Sequence, residues 1–256
     1  MNHRPRKRFG QNFLHDPNII NRIVSVIAPK PADNLIEIGP GQGALTFPVL
    51  SRCGQLRAIE LDRDLAAWLR EQSPAHGELE LLSADALKTD FSPFGDAQRI
   101  IGNLPYNISS PLLFHLLRFK SQIRDMHFML QKEVVQRMAA PAGSKTYGRL
   151  SVMIQAHCRV EKLLDVPPGA FNPPPAVDSA VVRMVPLAAD DVPPHHPTHF
   201  ADVVARAFAQ RRKTLRNTLR GLLTAEDMEA LGIDPGARAE TLSVSDFAAL
   251  SLRVNP

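Results

Sequence analysis

Apolar residues in this chain gather into short runs of strand length, separated by stretches where they recur at helical spacing. The runs are Leu35-Ile36-Glu37-Ile38, Leu56-Arg57-Ala58-Ile59-Glu60-Leu61, Leu79-Glu80-Leu81-Leu82, Arg99-Ile100-Ile101-Gly102 and Met126-His127-Phe128-Met129-Leu130. Between them, 44–53, 63–72 and 109–120 read as helices. Ser109-Ser110-Pro111 supplies a hydroxyl cap and a first-turn proline for the last of these. Strand and helix in alternation predict a parallel, doubly wound α/β sheet. Segments 157–166 and 179–185 follow one another with no helix between, which predicts an antiparallel hairpin at the sheet edge. The loop joining them, Pro167 to Pro175, has five prolines in nine residues, so it is not helical and holds Phe171 in a fixed place. A second break, Pro186 to Pro197, reads as a linker, and beyond it the pattern is helical with stops at Gly221, Gly232 and Gly236. The chain thus divides into an α/β domain, 1–186, with a basic arm at 1–15, and a small all-helical domain, 187–256.

Composition narrows the class. With 256 residues, 44 % hydrophobic and 22 % charged, the chain fills a proper core and is not disordered. No apolar run approaches the ~18–20 residues that span a bilayer. Two cysteines, Cys53 and Cys158, exclude a disulfide framework and a cysteine-rich zinc site and point to a reducing compartment, the cytoplasm. Met1–Gly10 is basic with no apolar stretch after it, unlike a secretory leader. His195 and His199 lie four apart in the proline linker without a matched carboxylate or thiolate, so no metal site is read there.

The net charge of +4 is unevenly placed. Arg4, Arg6, Lys7 and Arg8 in the arm, with Arg206, Arg211, Arg212, Lys213, Arg216 and Arg220 in 206–220, have no acid among them. Those two stretches carry +10, leaving the rest of the chain at −6. A concentrated positive charge on an acidic body suits a polyanion partner, because each phosphate contact releases a condensed counterion; the alternative is a solvated basic helix face and a frayed tail.

The candidate chemistry lies at strand ends. The first strand runs into Gly39-Pro40-Gly41-Gln42-Gly43-Ala44, a turn that lets backbone amides approach a ligand at a helix start. Glu60 ends the second strand, where a carboxylate accepts ribose hydroxyls, and Asp85 closes the third, within reach of an adenine amino group. Together they predict an adenosine cofactor. The loop alone fits both a dinucleotide and S-adenosylmethionine. Asn103-Leu104-Pro105-Tyr106, at the end of the fourth strand, separates the two. An adenine amino group is a poor nucleophile until acceptors orient its lone pair, and the Asn103 oxygen and Leu104 carbonyl supply two. Pro105 biases Leu104 to an extended conformation, and Tyr106 offers a stacking face for an extruded base.

Several tracts resemble the small-subunit ribosomal RNA adenine dimethyltransferases. They are Gln11-Asn12-Phe13-Leu14, Glu37 to Gly43, Asn103 to Pro111, Phe171 to Ser179, and Phe208 to Asn217. The resemblance implies a Rossmann-like class I methyltransferase that uses S-adenosylmethionine to dimethylate N6 of two adjacent adenosines. The target would be the 3′-terminal hairpin of small-subunit (16S) rRNA in the 30S particle, late in assembly, and the enzyme a monomer. It implies that Gln11, Asn12 and Leu14 lie at the methionine end of the cofactor, with Gly39, Gly41 and Gly43 beneath it. Glu60 and Leu61 would serve the ribose side, Asp85 and Ala86 the adenine, and Phe171 would stack on the target base opposite Tyr106. Rival readings are a large-subunit rRNA methylase of the macrolide-resistance type, a non-catalytic assembly factor, and an NAD oxidoreductase.

Overall fold

A computed structural model describes residues 11–254. The chain divides into two compact units: one holds the chain up to Val135 together with Glu161–Pro186, the other Gln136–Val160 together with the chain from Leu187. A sequence division at 186/187 therefore catches the second crossing of the chain and misses the first, since 136–160 belong to the helical unit.

The elements of the first unit begin with β1 (Phe13–Leu14), α1 (Pro17–Ile27), β2 (Asn34–Ile38), α2 (Thr46–Cys53) and β3 (Gln55–Glu60). They continue with α3 (Arg63–Gln72), β4 (Glu78–Ser83), β5 (Gln98–Asn103), α4 (Ser109–Leu117) and β6 (Ile123–Gln131). After α5 (Lys132–Met138), and after α6 (Arg149–Gln155), which belongs to the second unit, come β7 (Cys158–Val166), β8 (Phe171–Asn172) and β9 (Ser179–Pro186). The main sheet has the order β4-β3-β2-β5-β6-β9-β7. It is parallel from β4 through β6, and β9 joins β6 antiparallel. The predicted α/β sheet is present, with β9 and β7 adjacent at its edge. Its central strands are rich in buried apolar residues, as a parallel sheet covered on both faces requires: Ile36, Ile100, Met126 and Phe128 are fully buried, and Glu37, Arg99, Asp125 and His127 are the charged or titratable residues buried among them.

Two helical features depart from the sequence reading. No helix was expected at α1, although Asp16 caps it by accepting from the Asn18 and Ile19 amides at 2.8 and 3.2 Å, and Ile19, Ile23 and Ile27 bury one face. In α4 the expected hydroxyl cap is absent: Ser109 Oγ donates to the Tyr106 carbonyl at 3.1 Å, and the N-cap position is Ile108.

In the second unit, α7 (His199–Ala207), α8 (Leu215–Thr218), α9 (Ala225–Glu229) and α10 (Val244–Arg253) enclose an apolar core that includes Val203, Val204, Leu215, Leu219, Met228 and Phe247. Segment 206–220 is not one helix. α7 ends at Ala207, turns carry the chain through 208–214, and the Leu215 and Arg216 amides donate to the Ala237 and Pro235 carbonyls at 2.9 Å. The linker histidine His196 is engaged locally, its Nδ1 accepting from the His199 amide at 3.2 Å at the start of α7.

Candidate active site

Because β2 has β3 on one side and β5 on the other, the strand order reverses there, and the carboxyl ends of the strands open a crevice. The glycine turn after β2 is built for this place. Gly39, Gly41 and Gly43 have φ of +68°, +58° and +76°, a region that L side chains disfavour. At Gly43 a Cβ would also come within 2.3 Å of the Phe47 ring, which would have to shift. A cavity lies against this turn, where open α/β sheets place their small-molecule sites.

Of the residues expected at a cofactor, Gln11, Asn12, Leu14, Gly39, Gly41 and Glu60 line the cavity, as do Asn103, Leu104 and Tyr106 of the expected chemical site. Gly43, Leu61, Asp85, Ala86, Pro105 and Phe171 are not in its walls. Asp85 is half-buried, and its Oδ1 accepts from the Leu87 amide at 3.0 Å in a local turn. Leu61 is 52 % exposed beside Glu60, while Ala86 is buried. Phe171 departs most from expectation. β8 pairs antiparallel with β1, setting Phe171 opposite Leu14, and the ring enters the apolar cluster of Leu14, Ile19 and Ile23 with 2 % exposure. No face of that ring is left for a base.

Among the described residues, the cavity walls hold two carboxylates and no lysine, arginine or histidine. Glu60 Oε2 accepts from the Gly41 amide at 3.1 Å and Oε1 from the Asp62 amide at 2.8 Å, which ties the end of β3 to the glycine turn. Burial nevertheless raises its pKa above the ordinary carboxylate value. Glu37, in β2, heads the Glu37–Gly43 tract but has no site role in the sequence reading. It is 2 % exposed, its Oε2 has no hydrogen-bond partner, and burial pushes its pKa to about 8. The signal for it was present: one acid in an otherwise apolar strand, two residues before the glycine turn. Phe13, Pro40, Gln42, Ala44 and Leu45 complete the walls that the site reading omitted.

At the end of β5, Asn103 Nδ2 donates to the Asn12 carbonyl at 3.2 Å, which fixes the carboxamide and leaves Oδ1 as its acceptor. Leu104 follows, its amide donating to the Met129 carbonyl at 3.2 Å. Tyr106 is held by a 2.7 Å bond between its hydroxyl and Ser179 Oγ, so β9 fixes the ring; burial raises the pKa of its phenol. His115, in α4, bonds the Thr89 carbonyl at 2.7 Å, a packing role consistent with its apolar surroundings.

The basic residues divide by what they already touch. Arg4, Arg6, Lys7 and Arg8 lie outside the described residues. Arg206 pairs with Asp202 at 3.0 Å, Arg220 donates to Asn217 at 3.2 Å, and Arg211 bonds Glu240 at 2.9 Å together with the Lys145 and Tyr147 carbonyls. Arg212, Lys213 and Arg216 are exposed. Concave surfaces flank this segment, one bordered by Arg206, Lys213 and Arg220, another by Lys145, Arg212 and Arg238.

Residues 2–255 match the model of the ribosomal RNA adenine dimethylase family. The chain is 59 % identical over 249 residues to the ribosomal RNA small subunit methyltransferase A of Thiobacillus denitrificans, covering 97 % of both chains. It is 55 % identical to the protein of the same name from Idiomarina loihiensis, over 98 % of this chain and 88 % of that one. Among solved structures it resembles a dimethyladenosine transferase from Plasmodium falciparum (TM-score 0.80, 27 % identity, 94 % of this chain and 96 % of the other). It also resembles the 23S rRNA methyltransferase ErmE (TM-score 0.72, 25 % identity, 95 % and 99 %). No helix among the described residues is long and apolar enough to cross a membrane.

Proposed function

The chain belongs to the ribosomal RNA adenine dimethylase family, and from that premise we propose that it takes methyl groups from S-adenosylmethionine and dimethylates N6 of two adjacent adenosines in the 3′-terminal hairpin of small-subunit rRNA. In this reading it acts as a monomer in the cytoplasm, on the 30S particle late in assembly. Relatives at 55–59 % identity carry the small-subunit name, whereas the large-subunit enzyme ErmE stands at 25 %, which favours the small-subunit target. The intact Asn103-Leu104-Pro105-Tyr106 end of β5 favours an enzyme over an assembly factor without turnover.

The donor fits the cavity by chemistry. S-adenosylmethionine is a cation at sulfur and nitrogen, and the described residues of the walls offer two carboxylates to it. When bound it supplies an electrophilic methyl group on a sulfonium. Gln11, Asn12 and the glycine turn would hold its methionine end, and Glu60 its ribose. Leu61, Asp85 and Ala86, outside the walls described, would meet its adenine at the open end.

The observation that carries the reading is the anchored carboxamide of Asn103. With Nδ2 committed to the Asn12 carbonyl, Oδ1 accepts one hydrogen of the target amine, and the Leu104 carbonyl accepts the other. Two acceptors draw the amine out of conjugation and direct its lone pair, and holding that approach is most of the catalytic work. Tyr106, tethered to Ser179, gives the base a fixed face. No strong base is needed, because the nitrogen becomes acidic once alkylated. The monomethylated amine keeps one N–H, so one acceptor suffices for the second transfer.

Asn103→Ala tests this. The rate of methyl transfer to unmodified small subunits falls by about 10²–10³-fold, the scale of losing one orienting contact. Donor affinity measured by calorimetry changes only a few-fold, even though the bond to Asn12 is lost. Unchanged turnover would remove Asn103 from the chemistry. Identification of the product nucleoside as anything other than dimethyladenosine would overturn the assigned reaction.

A further inference from the structure

Tyr106 and Ser179 stand 73 residues apart, and the bond between them joins the chemical site to the antiparallel part of the sheet. Tyr106 follows β5 in a turn and is half-buried in the cavity wall. Its hydroxyl lies 2.7 Å from Oγ of Ser179, the first residue of β9, which is fully buried. Ser179 has a rigid seat. It pairs with Gln131 across the β6–β9 ladder, and the Lys132 amide donates to the Asp178 carbonyl at 2.9 Å. Lys132 Nζ braces the same corner, 3.2 Å from Asp165 and 3.9 Å from Asp178. A phenol on a turn would otherwise keep its χ1 and χ2 freedom, so this one bond selects the angle of the ring. With Phe171 packed into the apolar core, β8 offers no second ring against the base, and that angle carries more of the placement.

The two transfers to one adenosine ask different things of the site. In the first, the amine has two N–H groups, and Asn103 Oδ1 and the Leu104 carbonyl hold both. In the second it has one N–H, so one acceptor is idle and the amine can pivot about the contact that remains. What still fixes the plane of the base is the ring it stacks on. We propose that Ser179 is a positioning residue for the second methyl transfer: by holding the Tyr106 hydroxyl it keeps the base in plane when one acceptor contact is lost, and so favours the dimethylated over the monomethylated product. In each transfer the amine nitrogen gains a methyl as the donor C–S bond breaks, and it releases one proton to solvent. Ser179 acts on neither event directly, only through Tyr106. This inference rests on the reaction proposed above.

Full-length Ser179→Ala and Tyr106→Phe each remove the bond, and the double variant closes the cycle. Tyrosine labelled with carbon-13 at Cζ gives one NMR signal for each of the two tyrosines, Tyr106 and Tyr147. Tyr106→Phe assigns them. Expected is a shift of the Tyr106 signal in Ser179→Ala before any substrate is added. On unmodified small subunits, the second transfer in either single variant slows by about three- to tenfold, the scale of one neutral hydrogen bond. The first slows by less than about twofold, so monomethyladenosine accumulates. The double variant loses no more than either single one. Should Ser179→Ala fail to fold, the product ratio of Tyr106→Phe decides the same question. An unmoved Tyr106 signal, equal slowing of both transfers, or additive losses overturns the role of Ser179 and leaves the reaction intact. A parent chain that makes no dimethyladenosine overturns both.

Discussion

The two ends of strand β5 treat buried charge in opposite ways. Near its start, Arg99 lies between two aspartates, its Nη1 2.6 Å from Asp33 and its Nε 3.1 Å from Asp125, and it also donates to the Ile27 and Ala28 carbonyls at 2.7 and 3.4 Å. Burial alone would raise the pKa of Asp125, yet the neighbouring His127 and the Arg99 charge hold it below the ordinary value. At the far end, beside Asn103, Glu37 and Glu60 share a cavity wall with no cation among the described residues, and burial raises both. Burial thus ends in opposite shifts, and a counter-ion supplied by the fold is what reverses it at Asp125. Where it does, the charges serve the architecture. Where it does not, the site is left for a ligand to complete.

The largest effect that sharpens this contrast is at the paired end. Arg99→Met leaves buried Asp125 with only His127 beside it and Asp33 with only the exposed Arg124, and unfolding in urea should show a loss of about 3–5 kcal/mol. A loss below about 1 kcal/mol would break the comparison. At the unpaired end the sign reverses. Glu37 has a folded pKa of about 8 against an ordinary 4.5, so the stability it contributes is complete below about pH 4.5 and is lost as pH rises through 8. Glu37→Gln has no such dependence. Without donor, the variant should gain on the parent by a few kcal/mol between pH 5 and pH 8, read as a widening difference in Tm. A difference independent of pH would show that Glu37 ionises freely.

What was legible in the sequence followed from local pattern. Five parallel strands appear where apolar runs predicted them, and the Gly39–Gly43 turn and Asn103–Tyr106 meet because both lie at carboxyl ends beside the point where strand order reverses. Pairing between distant segments was not legible. Nothing in Gln11–Leu14 announces that it bonds Asn103 and pairs with Phe171–Asn172, yet that pairing turns Phe171 into the core. The membership of 136–160 in the helical unit was hidden for the same reason, since it depends on Tyr147 and Val152 packing with Phe200 and Phe247 far along the chain. Glu37 was signalled by its place, an acid in an apolar strand just before the glycine turn, but its burial is legible only in the fold.

The same distinction between engaged and unengaged charge gives the smallest and most specific prediction, within the helical unit. Arg211 and Arg212 are neighbours in a basic segment, but Arg211 is bonded to Glu240 and to two carbonyls of the 145–147 loop, whereas the exposed Arg212 borders a concave basic surface. Arg211→Ala should cost about 1 kcal/mol of stability, as loss of a partly exposed network. Arg212→Ala should leave stability unchanged and lower the slope of log affinity for rRNA against log salt by about one. Neutralising Lys213 and Arg216 as well should deepen that fall in slope stepwise. Equal slopes for parent and Arg212→Ala would show that this surface faces no phosphate, and a stability loss confined to Arg212 would reverse the assignment of the two arginines.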